Sequence, residues 1–156
     1  MSASRQKSAN PFSHLDDTGT ARMVDVGAKP VQHRRAAAAA TLVCRPATIR
    51  ALRARALPKG DVLAVAQIAG IQAAKRTAGL IPLCHPLPLD RVAVEFRVRA
   101  AAIEVACTVE TDAKTGVEME ALTGASIAAL ALYDMCKAVD KTMRIEGVRV
   151  LEKVKE

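Results

Sequence analysis

The residues able to do chemistry in this chain are few and mostly ionisable. Lys59-Gly60-Asp61 puts a lysine immediately before an expected helix start. Free amides at such an end favour anions, and Gly60 permits a tight backbone. Lys59 therefore reads either as an acid–base group or as a solvated loop lysine. Tyr133-Asp134-Met135-Cys136-Lys137 sets a carboxylate and an ammonium at i and i+3 on one side of a helix. They follow an apolar stretch, so they are either a site at the edge of the core or an ordinary surface ion pair. His85 stands in a rigid proline-rich loop, which suits binding or acid–base work as well as it suits a structural bond to a carbonyl. A Cys84 nucleophile with His85 as its base is a weak reading, because adjacent residues in an extended segment point apart. Thr115 and Glu118 read as a capping box, whereas Met119 and Glu120 in the same turn have no such duty. Lys75 and Arg76 complement a helix dipole. The set holds no metal-ligand spacing, no serine nucleophile and no glycine-rich nucleotide loop. It suits acid–base catalysis on an anionic, hydrogen-bond-rich substrate.

The elements that must position these groups follow from periodicity. Ala21–Val26 alternates like a short strand, and Ala36–Ala40 is an alanine tract of no evident structure. Pro46 opens a short basic helix to about Ala56. A second helix runs from Val62 to about Ala78, capped by Asp61 and ended by Gly79. Its alanines and Gly70 let another element approach closely. Three prolines between Pro82 and Pro88 forbid helix there and leave an ordered, extended loop. Val92, Val94, Phe96 and Val98, then Ile103, Val105, Cys107 and Val109, alternate as two half-buried strands of a hairpin with Arg facing Glu. A long helix follows from the capping box to about Val139. Its centre, Ile127 to Tyr133, is apolar all round and is expected to be buried all round. Arg144–Lys153 is a last strand. This order predicts a two-layer α+β domain, an antiparallel sheet with helices packed on one face. Residues 1–12 read as a flexible tail, with a single catalytic domain over 13–156.

Composition narrows the classes further. The 156 residues include 31 alanines, three aromatics and no tryptophan, so the core is made of Ala, Val, Leu and Ile. Such a core is thin unless another subunit adds to it. The net charge of +7 is uneven, since residues 1–60 hold 11 Lys/Arg against three Asp/Glu. Those cations suit an anionic small molecule better than nucleic acid, because three aromatics cannot build base-stacking platforms. No stretch has the length and apolarity of a membrane span or a signal peptide, and four widely spaced cysteines fit a reducing compartment. A cytoplasmic protein without nucleic-acid or membrane partners is expected.

Longer words then become informative. Ala21-Arg22-Met23-Val24-Asp25-Val26, Lys59-Gly60-Asp61-Val62, Ile68-Ala69-Gly70-Ile71-Gln72-Ala73-Ala74-Lys75-Arg76-Thr77, Leu80-Ile81-Pro82-Leu83-Cys84-His85-Pro86-Leu87, Gly116-Val117-Glu118-Met119-Glu120-Ala121-Leu122-Thr123 and Tyr133-Asp134-Met135-Cys136-Lys137-Ala138-Val139-Asp140 closely resemble the molybdenum cofactor biosynthesis protein C family. That family is also called cyclic pyranopterin monophosphate synthase. The likeness spans roughly His14 to Lys153.

The resemblance implies a ferredoxin-like subunit in a homo-hexamer, a trimer of dimers with active sites at subunit interfaces. It implies conversion of 3′,8-cyclo-7,8-dihydroguanosine triphosphate into cyclic pyranopterin monophosphate with release of pyrophosphate. Lys59, Lys137 and Asp134 match catalytic positions. Leu83, Cys84, His85, Met119 and Glu120 match substrate-binding positions, and Asp25, Arg34, Lys75 and Lys153 fall where further polar contacts are made. No cofactor or bound metal is implied; Mg²⁺ accompanying the triphosphate is compatible with the reaction but is not indicated by any residue pattern. Two departures stand out. Relatives tend to read Thr-x-Arg-Glu-Ala where this chain has Gln32-His33-Arg34-Arg35-Ala36, which is expected to add positive charge beside the phosphate site. Relatives also continue past the last strand with a glycine-rich segment, so substrate closure by such a tail is expected to be missing. These departures fit an alternative, a divergent paralogue serving as a non-catalytic nucleotide- or pterin-binding oligomer. The presence of Lys59, His85, Glu120, Asp134 and Lys137 speaks for the enzyme.

Overall fold

The computed structural model of the chain describes Leu15 and residues 18–156. Its elements run β1 (Gln32–Val43), α1 (Pro46–Arg53), α2 (Val62–Ala74), α3 (Thr77–Leu80), β2 (Arg91–Val98), β3 (Ala102–Ala113), α4 (Glu118–Cys136) and β4 (Arg144–Lys155). The strands form one antiparallel sheet in the order β2-β3-β1-β4. Helices α2 and α4 pack against each other and share one core with the sheet. This is the α+β sandwich expected, in its ferredoxin-like form. The tail expected over residues 1–12 lies outside the described residues.

The alanine tract is the middle of β1, flanked by β3 and β4. Ala36, Ala38, Ala40 and Leu42 are wholly buried on the helix side, while by strand alternation Arg35, Ala39 and Thr41 face away. Small side chains on the central strand let α4 lie low on the sheet. The same economy brings the two long helices together. A Cβ on Gly70 would stand 2.9 Å from the Gly124 carbonyl oxygen, and one on Gly124 would stand 2.5 Å from Cys107 Sγ. Only glycine fits this crossing. The β2–β3 hairpin pairs Arg91 with Glu110 and Arg97 with Glu104, as the alternation predicts.

Several local expectations are corrected. Ala21–Val26 is not a strand: Ala21 makes one bridge to Leu15, and the rest has no pairing partner. Helix α2 stops at Ala74 because the Thr77 hydroxyl donates to the Ala73 and Ala74 carbonyls and the chain restarts as α3. Gly79 therefore lies inside α3. Helix α4 begins at Glu118 with Val117 at the N-cap and no side-chain cap, so Thr115 and Glu118 form no capping box. Its apolar centre is also not buried all round, since Leu130 is 53% exposed where the sheet does not reach. Asp61 does cap α2, accepting from the Ala64 amide at 3.1 Å.

Candidate active site

Lys59 sits in the loop between α1 and α2, followed by Gly60 at φ +85°. That left-handed residue turns the chain into α2 and leaves the lysine side chain directed at the last turn of α4. Lys59 Nζ donates to Asp134 Oδ2 at 2.7 Å and to the Asp134 carbonyl at 3.1 Å. Lys137 Nζ lies 2.6 Å from Asp134 Oδ1, one helical turn on. Two ammonium groups from distant parts of the chain thus share one carboxylate, one on each oxygen. The three side chains remain 40–55% exposed. The bonds from Lys137, then Lys59, hold the Asp134 carboxyl at about 2, and Asp134 in turn raises Lys137. The arrangement is a fixed anion carrying two proton donors whose outer faces are open.

At the other end of α4, Leu83, Cys84, His85, Met119 and Glu120 line one cleft of about 440 Å³, together with Val24, Val26 and Glu118. The proline loop forms one wall and the first turn of α4 another. His85 Nε2 lies 2.8 Å from the Val24 carbonyl, to which it must donate. That bond ties the irregular 22–26 segment to the site and leaves Nδ1 of a neutral ring as an acceptor. Glu120 is only 4% exposed. Burial, with a smaller push from Glu118, raises its carboxyl despite the opposing pull of its own amide and of His85. Burial, then Glu120, also raises the Cys84 thiol. A raised thiol works against the thiolate that a cysteine nucleophile needs.

Of the remaining expected residues, Lys75, Lys153 and Asp25 fall around this cleft, and Arg34 does not line it. Lys75 lines an adjoining depression that shares Glu120 and Leu87 with it. Lys153, on β4, is paired with Glu118. Asp25 lies in the segment over the cleft, but its carboxylate accepts from the Gly27 amide at 2.8 Å. Arg34 is buried and spends its donors on the Ala113 carbonyl and Gln32 Oε1. Arg35, the departure in that region, adds no charge to the cleft. As the next residue on a strand it faces the opposite side of the sheet, where it pairs with Glu110 and Glu152.

Glu120 and Asp134 are about 21 Å apart along α4 at about 1.5 Å per residue. The structure thus assembles two clusters from the expected residues and keeps them separate within one chain. A sequence model of the MoaC family matches residues 23–155. The chain belongs to the MoaC family. Its relatives include a protein of Chloroflexus aggregans named cyclic pyranopterin monophosphate synthase, 57% identical over 94% of this chain and 90% of that one. A Nostoc protein of the same name is 54% identical over 98% of this chain and 92% of that one. The chain also matches 45% of a Chlorobaculum tepidum protein named molybdenum cofactor biosynthesis bifunctional protein, at 55% identity.

Within this MoaC chain, sequence reasoning missed two charged cleft residues, Glu118 and Lys29. Glu118 was assigned to a cap, yet it lines the cleft and holds Lys153, a partner 35 positions away on another element. Lys29 also lines the cleft, and no local pattern marks it. The long word around Glu118 was the available signal for the first.

Proposed function

We propose that the chain forms cyclic pyranopterin monophosphate from 3′,8-cyclo-7,8-dihydroguanosine triphosphate, with release of pyrophosphate, as an enzyme of molybdenum cofactor biosynthesis. The observation that carries this reading is the pair of ammonium groups, Lys59 and Lys137, set on the single exposed carboxylate of Asp134 in a MoaC chain. Opening the guanine-derived ring and building the pterin require repeated proton transfers, which positioned lysines can supply. Asp134 keeps both ammonium groups in place as its permanent counter-ion. The buried Glu120, held toward its protonated form, is a second proton donor at the cleft. Closing the cyclic phosphate requires an oxygen of the sugar-derived part to displace pyrophosphate from the α-phosphorus. Lys75, Lys153 and Lys29 are the cations available around the cleft to hold the phosphates and stabilise that leaving group.

Two clusters about 21 Å apart cannot touch the same reacting centre, where groups must approach to about 3 Å. The separation supports an active site made from two copies, the triad of one facing the cleft of its neighbour, in a trimer of dimers. Exposed Val65 and Ile68 on α2, Leu130 on α4 and Val148, Val150 and Leu151 on the edge strand β4 supply apolar surface for such contacts. No helix among the described residues is long and apolar enough to cross a membrane. The four free cysteines fit the cytoplasm. The deciding experiment supplies the purified chain with the cyclic dihydroguanosine triphosphate and measures pterin and pyrophosphate. Equal release of both is expected. Tight binding without either product would overturn the reading in favour of a non-catalytic binder.

A further inference from the structure

Three residues beyond Lys137, Asp140 is completely buried, and its carboxylate is ringed by donors from the start of α1 and from Thr142. Oδ2 accepts from the Arg45 amide and from Thr48 Oγ1, both at 2.8 Å. Oδ1 accepts from the Thr142 amide at 3.0 Å and Thr142 Oγ1 at 2.8 Å. Arg45 Nε lies 3.1 Å from Oδ1, and the Arg45 guanidinium also donates to the Val139 carbonyl. Burial alone would push this carboxyl up, but the bonds from Arg45, Thr142 and Thr48 outweigh it and hold the group well below the usual carboxylate range.

A buried, fully bonded charge is a weak source of stability, because well-packed apolar residues do as well. What it does supply is one defined arrangement of the elements that donate to it. Arg45 is the N-cap of α1 and Thr48 lies in its first turn. Thr142 leads into β4, and Asp140 itself ends the segment that continues α4. The chain leaving α1 carries Lys59, while the last turn of α4 carries Asp134 and Lys137. Both halves of the triad therefore hang from elements that Asp140 pins together, and the carboxylate spends its bonds on Arg45, Thr48 and Thr142 rather than on the triad itself.

We propose that Asp140 is a positioning residue for the reaction, locking α1 against the end of α4 and so setting the spacing of Lys59 from the Asp134–Lys137 pair. The kinetic half of this inference rests on the function proposed above. Asp140→Asn keeps the shape but turns an amide NH₂ toward converging donors, and Thr48→Val removes a single bond. Both variants are compared with the wild-type full chain well below their melting temperatures, reading kcat, KM and the titration of the Asp134 carboxyl by ¹³C NMR. Asp140→Asn is expected to lower kcat roughly ten- to a hundredfold with KM changed less than about threefold. It should also move the Asp134 titration upward from about 2. Thr48→Val should shift both in the same direction by less. Lower melting temperatures with kcat and the Asp134 titration unchanged would overturn the proposal, and if Asp140→Asn does not fold, Thr48→Val is judged by the same criteria. Should the wild type show no turnover, the proposed function fails, and the Asp134 titration in the variants still decides the role of Asp140.

Discussion

Near the C-terminal end of α4, Asp134 is an exposed carboxylate with an ammonium on each oxygen; in the first turn of the same helix, Glu120 is a buried carboxyl beneath a cleft. The first is held at about 2 by bonds from Lys137 and Lys59, and the second is pushed up by burial. Two carboxyl groups of similar intrinsic acidity are thus driven apart by their surroundings, one toward a permanent anion and one toward a proton store. The two oppositely shifted carboxyls stand at opposite ends of one helix. In the interface site proposed above, a second copy would bring the far end of its own α4 across to the cleft.

That comparison breaks most readily at Lys59. Lys59→Ala should reduce product formation about a thousandfold, the scale of a lost proton-transfer group. The melting temperature should hardly change, because Lys137 still neutralises Asp134 and the Lys59 side chain is 40% exposed. Normal turnover would remove Lys59 from the mechanism. His85→Ala damages the other cluster, and co-expressing the two variants tests whether the clusters meet between copies. Random assembly leaves about a quarter of interface sites with both intact halves, so activity should return to about a quarter of wild type. A mixture no better than its components would place the whole site within one chain.

A smaller loss, about a hundredfold in kcat, is expected for Glu120→Gln. This change also tests the sign of the burial effect. A carboxyl whose folded value lies above its unfolded one keeps its proton in the fold after the unfolded chain has lost it. The stability from that source is complete below the ordinary glutamate range and is lost as pH rises through the raised folded value. Glu120→Gln should abolish that decline. Its melting temperature should equal or exceed wild type at about pH 8, with a flatter profile down to about pH 4. A variant that is both less active and less stable at the higher pH would show that Glu120 is ionised and bonded in the fold.

Much of this contrast was legible in the residues. Asp134 and Lys137 share a helix face by spacing alone, and the proline loop had to be an extended wall. The hairpin followed from strict alternation, and the Arg–Glu pairs across it came out in register. What local pattern does not encode is where distant segments meet. Lys59 reaches Asp134 across 75 positions, a contact that no periodicity carries. The capping box failed because Glu118 has a better partner in Lys153, offered only once β4 lies beside β1. The 22–26 segment alternates like a strand but finds no ladder, and is held instead by His85. The alanine tract was ambiguous because alanine suits helix and strand alike, and its place between two strands decided it.

The middle of α4 separates the two ends, and disturbing it tests whether they are built independently. A Cβ on Gly124 would stand 2.5 Å from Cys107 Sγ and 3.2 Å from the Gly70 carbonyl oxygen, so a larger side chain there forces its neighbours to move. Gly124→Val must push α2 or the sheet outward, which should cost about 3 kcal/mol. For a chain of this size that corresponds to a fall of about 10 °C in melting temperature. Each end, however, is held by its own local ties: Glu118 by Lys153 and His85 by Val24 at one, Asp140 by Arg45, Thr48 and Thr142 at the other. The expected outcome is therefore a less stable protein whose kcat, measured well below the transition and corrected for the folded fraction, stays within about threefold of wild type. A large loss of kcat in folded Gly124→Val would mean that the spacing along α4 itself is read by the reaction. That result would favour a substrate that spans the helix within one copy over a site shared between two.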